Sequence, residues 1–253
     1  MRTSLADTYL ACASLFAVAA ANPVVRREGV TIARFCALLV ALGIVDWLVI
    51  DVVSGVGDGL VKLGCAIGAL LYGTAVLQLS APELGLARAD VRRGFGVGGF
   101  AALVILLVIV VLVAVPSSRG HFTTSRVTTD SASAHWLEPL VIIPFGTVVF
   151  EELLFRGVLL GAAMRLWRTP VAVAVTSVAF GLWHLPDTIN TTSGSASHVF
   201  WAVVGTIAVT IAGGVLFAWL RLRSKSLVAS VLAHVATNSG AYVAALVAIK
   251  LSG

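Results

Sequence analysis

An all-α integral membrane protein, a bundle of about eight transmembrane helices, is the fold class that this sequence predicts, and three observations lead to it. Hydrophobic residues fill 59% of 253 positions before the 24 glycines are counted. Charged residues make up only 11%. The apolar residues also fall in runs of membrane-spanning length rather than in scattered clusters. Soluble domains carry roughly 45–50% apolar residues with glycine included and about 25% charged. A soluble chain of this length has nowhere to hide so much apolar surface, so the excess faces lipid.

About 20 apolar residues cross the hydrocarbon core as a helix. Eight runs meet or approach that length: 7–22, 31–52, 57–79, 96–115, 136–164, 170–186, 199–220 and 226–250. The first resembles a secretory signal in its Ala19–Ala21 stretch, but Arg26 and Arg27 follow it directly and oppose translocation of that end, so it is read as a retained helix. The sixth is short, and Pro170 and Pro186 bound it. Between the third and fourth runs, Pro82 to Gly96 carries Arg88, Asp90, Arg92 and Arg93. That segment reads either as an interfacial stretch or as a polar connector on the cytoplasmic face. With no internal repeat and no soluble segment, the chain is taken as one polytopic domain over 1–253. Within it, 1–115 forms N-terminal helices of unassigned role, and 136–253 forms a motif-bearing core with its cavity among the last four or five helices.

The charges orient the bundle. A net charge of +5 often signals nucleic acid, but here the basic residues are dispersed between apolar runs without a basic stripe, so no nucleic-acid partner is expected. One side of the membrane receives Arg26, Arg27, Arg34, Arg88, Arg92, Arg93, Arg165, Arg168, Arg221, Arg223 and Lys225. The other receives Arg2, Lys62, Arg119, Arg126 and Lys250. This bias places the Arg-rich loops in the cytoplasm and both termini outside. The loops Pro116–His135 and Asp187–His198 then lie outside as well. Arg outnumbers Lys 14 to 3, which suits a GC-rich bacterial genome and a bacterial cytoplasmic membrane. Cys12, Cys36 and Cys65 lack CxxC spacing, so neither a disulfide framework nor a zinc ribbon is indicated.

Ionisable residues inside spans each cost a few kcal/mol on insertion scales, and so require a partner or a purpose. They concentrate in Phe150-Glu151-Glu152-Leu153-Leu154-Phe155-Arg156 of the fifth run, in Phe180-Gly181-Leu182-Trp183-His184 of the sixth, and in His234-Val235-Ala236-Thr237-Asn238 of the eighth. Glu152 and Arg156 stand four apart, stacked on one helical face with Glu on the favourable N-terminal side. Glu151 is rotated by about 100° from Glu152, so one arginine does not serve both carboxylates equally. That leaves Glu151 poised for proton transfer. His234 and Asn238, again four apart, share a face of another helix. At ~1.5 Å per residue from the cytoplasmic side, Glu151 and His184 lie roughly 20 Å deep, Asn238 at ~18–20 Å and His234 at ~13 Å. Three runs thus carry polar groups to one layer.

Glu151–Arg156 as EExxxR, Phe180–His184 as FxxxH and His234–Asn238 as HxxxN, in that order on late apolar helices, resemble the CAAX-protease and bacteriocin-processing family of intramembrane proteases. The resemblance covers about the last 120 residues, and the first four runs match only in being hydrophobic. It implies an eight-helix enzyme hydrolysing peptide bonds in a membrane-embedded cavity. By that resemblance Glu151, with His184, activates the attacking water. His234 and Asn238 hold the developing oxyanion, and Glu152 and Arg156 orient the site. Glu151, His184 and His234 are also the set that would bind zinc if a metal were used. Since the sequence has no HExxH and a carboxylate–histidine pair activates water unaided, chemistry without a cofactor is expected.

Other readings fit parts of the same pattern. A buried Glu/His cluster serves a secondary transporter or proton relay, although repeat symmetry and paired broken helices are missing from the sequence. A catalytically silent membrane scaffold is the third. Trp183 and Phe180 read as packing residues, and His121, His135 and His198 as loop or span-edge residues. Asp46, Asp51 and Asp58 read as solvated positions near the outer end of the second run, with an ion path as the alternative. Expected partners are the bilayer and a peptide or membrane-protein substrate; the oligomeric state is not legible.

Overall fold

In a bilayer, backbone N–H and C=O groups find partners only within helices or closed barrels, and the long apolar runs wind accordingly. The computed structural model describes residues 30–52, 56–122 and 134–252, which are almost entirely helical, with no strand among the described residues. Helix α1 spans Ile32–Val52. Helix α2 spans Val56–Leu71 and runs on through a wide π turn, Tyr72–Val76. A short α3, Ala81–Leu84, and a 3-10 turn, Arg88–Asp90, lead into α4, Val91–Ala114. A second 3-10 stretch follows at Pro116–His121.

Helix α5 is one continuous rod over residues 134–166, in which two π segments, Glu138–Val148 and Leu153–Leu159, flank a single α turn, Val149–Glu152. Pro139 and Pro144 lack the N–H that closes a normal turn, and the N–H of Val149 reaches back to the Pro144 carbonyl instead. Next come α6, Thr169–Trp183, and α7, Leu185–Thr191, joined at His184. Helices α8, Ala196–Ser224, and α9, Leu227–Ser252, complete the order, and Lys225 takes the left-handed conformation that ends α8.

The protein is a multi-pass helical membrane protein. Four helical stretches are long and apolar enough to cross a bilayer: Arg88–Ala114, Thr169–Thr191, Ala196–Ser224 and Leu227–Leu251. Shorter apolar helices occupy Ile32–Val45 and Val61–Val76. The first of the eight expected runs, with Cys12, Arg26 and Arg27, lies outside the described residues, as do the side chains of Asp46, Asp51, Asp58, His121 and His135. Helix α4 leaves Phe100, Leu103, Leu107, Val110 and Val111 more than half exposed, which suits a surface solvated by acyl chains.

Two expectations need correcting. The sixth run does not stop at Pro186: proline is tolerated in a first helical turn, so α7 restarts there and the expected loop Asp187–His198 shrinks to residues 192–195. The segment Pro82–Gly96 is likewise not a plain connector. Ser80 caps α3 reciprocally with Glu83, Gly85 turns the chain at φ 74°, and α4 already begins at Val91.

Helix α5 occupies the centre and touches α1, α2, α3, α6, α8 and α9. From Phe150 to Ala163 every residue except Leu153 is buried, as a helix apolar on all faces requires. Two arginines, Arg165 on α5 and Arg221 on α8, tie these helices to the turn after α2. Arg165 grips Glu83 with both Nε and Nη2 at 2.7 Å and donates to the carbonyls of Leu77 and Gln78 at 2.8 and 2.7 Å. Arg221 donates to the carbonyls of Pro82, at 3.1 Å, and Glu83. These two charges, counted above as loop residues that set orientation, are consumed in structure. The Arg165 hydrogen bond, aided by the Ser80 hydroxyl and amide and opposed by burial, holds the Glu83 carboxyl at about 2.

Close helix contact elsewhere depends on glycine. Gly94 and Gly98 form a GxxxG face on α4 against α9. A Cβ on Gly98 would fall 2.6 Å from Ala229 Cα, whereas Gly96 faces open space. Gly98→Ala should therefore destabilise the protein by about 1–3 kcal/mol in detergent unfolding, with Gly96→Ala as the silent control. A carboxyl held below its ordinary value of 4.5 stabilises fully above that value, and its contribution is lost as pH falls towards about 2. Glu83→Gln should lower the melting temperature at pH 7 and flatten the acid-side decline between those limits in a thermal scan against pH.

Candidate active site

The π segments of α5 bracket the turn that carries the two glutamates, a placement common where a helix bends its regular winding around function. Glu152 has no exposed surface, Arg156 is 2% exposed, His234 3% and Glu151 5%. All four are out of reach of bulk water, so their charges must answer one another. Arg156 Nη1 lies 3.0 Å from Glu152 Oε1, the expected i,i+4 pair, as a charge contact rather than an aligned hydrogen bond. On its other side, the same Glu152 oxygen lies 2.9 Å from His234 Nδ1. The imidazole therefore bridges: its Nε2 sits 3.7 Å from Glu151 Oε2 and 3.2 Å from Asn238 Nδ2.

Five of the six expected residues are thus joined edge to edge. The 100° rotation between Glu151 and Glu152 has the consequence expected of it. Glu152 Oε1 is engaged by Arg156 and His234, whereas Oε2 of each glutamate is buried without a hydrogen-bond partner among the described residues, that of Glu151 lying 3.7 Å from His234 Nε2. The sixth residue, His184, stands apart. Its Nδ1 lies 2.8 Å from the Phe180 carbonyl, and among the described residues it has no hydrogen bond or ion pair to Glu151 or His234. If Nδ1 donates to that carbonyl, Nε2 is left as an acceptor. The Phe180 ring connects it to the rest, 4.7 Å from the His184 ring and 5.8 Å from that of His234.

Aromatic rings enclose the guanidinium. Arg156 Cζ lies 3.9 Å from the Phe180 ring centre, 5.2 Å from Phe217 and 5.9 Å from Phe155. Phe180, expected as packing, thus also screens a charge. Trp183 packs on Phe150 and Phe155 at 5.9 and 5.8 Å, in keeping with a packing role. His198 lies at the exposed start of α8 against the Ser193 carbonyl, away from this cluster.

Among the described residues, no three His, Cys, Asp or Glu side chains are grouped so as to hold a metal ion. Glu151, His184 and His234 therefore do not form a ligand set as arranged here. Two residues of the cluster lie outside the motifs. Ser230, buried one turn before His234, donates to the Leu227 carbonyl at 3.1 Å, and its i,i+4 spacing to His234 made it findable. Phe217 stacks on His234 but sits in an apolar run that nothing in the sequence distinguishes.

The motifs implied one set from the fifth, sixth and eighth runs; the described structure joins Glu151, Glu152, Arg156, His234 and Asn238 and leaves His184 apart. Residues 133–240 match an Rce1-like family model. The match is to the family described as Type II CAAX prenyl endopeptidase Rce1-like, and it takes in α5 to α8 and α9 as far as two residues past Asn238. Comparison with curated proteins and with solved structures gives no match. The match covers less than half of the chain, and every residue of the cluster lies inside it.

The ion pair inside the matched region gives a stability prediction. Arg156→Met strands the Glu152 charge and should cost about 3–5 kcal/mol in denaturant unfolding. Glu152→Gln combined with Arg156→Met should recover much of that loss.

Proposed function

We propose that the protein is an intramembrane endopeptidase of the CAAX-prenyl-protease type, hydrolysing peptide bonds in peptides or membrane-protein segments. The carrying observation is the unpartnered oxygen of Glu151 beside His234, inside the Rce1-like region. Glu151 is the general base, and His184, through its free Nε2, holds the same water. The water oxygen bonds to the scissile carbonyl carbon while its proton passes to Glu151, which then delivers it to the leaving amine. Asn238 Nδ2, oriented by its hydrogen bond to His234 Nε2, donates its second N–H to the oxyanion, while Glu152 and Arg156 fix the imidazole. No step is routed through a metal.

When Glu151 takes the proton, the cluster becomes more positive by one unit as the substrate oxygen becomes negative by one. A preorganised field of this kind acts strongly in a dry site. The Lys/Arg bias of the loops supports a site that opens towards the cytoplasm of a bacterial cell, with both termini outside.

The test is cleavage of a diverse peptide library by the protein purified in lipid, with and without chelator. Glu151→Gln should lower the rate by about 10²–10⁴-fold, the usual worth of a general base, and chelator should leave the wild-type rate unchanged. Background-level signal from both proteins would overturn the reading.

A further inference from the structure

One aromatic ring outside the three motifs touches both the imidazole and the guanidinium of the cluster. Phe217 on α8 is 4% exposed. Its ring lies 4.6 Å from that of His234 with the planes only 22° apart, a face-to-face stack, and 5.2 Å from Arg156 Cζ. Phe180 meets the same imidazole edge-on, at 5.8 Å and 86°. Phe217 is itself held firmly, because Arg221, one turn further along α8, is bonded to the α3 turn.

His234 needs such support. Hydrogen bonds to Glu152 at Nδ1 and to Asn238 at Nε2 hold its two nitrogens, but the ring can still rock about the line between them. Such rocking would swing Nε2 out of line with Asn238. A flat ring stacked on the imidazole blocks that motion. Leucine would fill much of the space without providing a plane. We infer that Phe217 is the positioning residue of His234, setting the plane in which Nε2 holds the Asn238 amide beside the reacting oxygen. The role in catalysis rests on the endopeptidase reading; the role in fixing the ring does not.

The test uses the full chain in lipid nanodiscs as wild type, Phe217→Leu and Phe217→Tyr. Histidine side chains are ¹³C-labelled, and the His234 signal is assigned by its disappearance in His234→Asn. The ring current of a stacked neighbour should displace the wild-type His234 Cε1–H resonance upfield. Phe217→Tyr should keep that displacement and Phe217→Leu should lose it. In peptide cleavage, Phe217→Leu should lower kcat by about 10–100-fold, the scale of a small misplacement, with KM nearly unchanged and with Phe217→Tyr restoring the rate. A His234 resonance that stays in place in Phe217→Leu overturns the inference. So does a Phe217→Leu enzyme as fast as wild type, or a Phe217→Tyr enzyme as slow as Phe217→Leu. If wild type cleaves nothing, the endopeptidase reading fails, and the resonance still decides whether Phe217 holds the ring.

Discussion

Glu152 lies wholly out of solvent, against Arg156 on one side and Nδ1 of His234 on the other. A lone carboxylate there would carry a desolvation penalty of several kcal/mol. Arg156 offsets it within the same helix, but the offset leaves Glu151 without an equal counterion. One guanidinium is thus shared unevenly between two carboxylates. Glu152 Oε1 is held from both sides, and Glu151 Oε2 lies 3.7 Å from the His234 imidazole.

Keeping these groups together is a demand on the whole bundle, since His234 and Glu152 come from helices 82 residues apart. Helix α5 meets it by being buried from Phe150 to Ala163, so that the register of that stretch is set by its neighbours rather than by lipid. The Arg165 and Arg221 contacts to the α3 turn bind α5 and α8 to a common point. The glycine face of α4 lets it approach α9, the helix that carries His234 and Asn238, closely enough to support it. A polar cluster in a dry interior tolerates little slack, because each bond lost leaves a charge uncompensated.

Much of this was legible along the chain because helical spacing is local. Glu152–Arg156 and His234–Asn238 are four apart, and both pairs meet as that spacing requires. The equal-depth estimate likewise anticipated that the fifth and eighth runs would share a polar layer. His184 was harder to read. Depth placed it in that layer, but azimuth depends on helix rotation, and the ring turned to the Phe180 carbonyl of its own helix. Arg165 and Arg221 were read as orienting charges because their partners are backbone carbonyls, which no motif marks, and, for Arg165, a glutamate 82 residues away in the chain. Phe217 was invisible for a similar reason, as one phenylalanine in an apolar helix looks like any other.

Composition and periodicity alone determined that the chain is helical, that it resides in a membrane, and which short segments bear its ionisable groups. Those properties follow from the cost of apolar surface in water and of unpaired backbone in lipid, and both are paid residue by residue. Only the tertiary structure decided that His234 bridges the two glutamates, that α7 continues where Pro186 promised an end, and that an unmarked aromatic ring backs the imidazole. These depend on the rotation and approach of helices about their axes, which packing sets and a linear pattern does not encode.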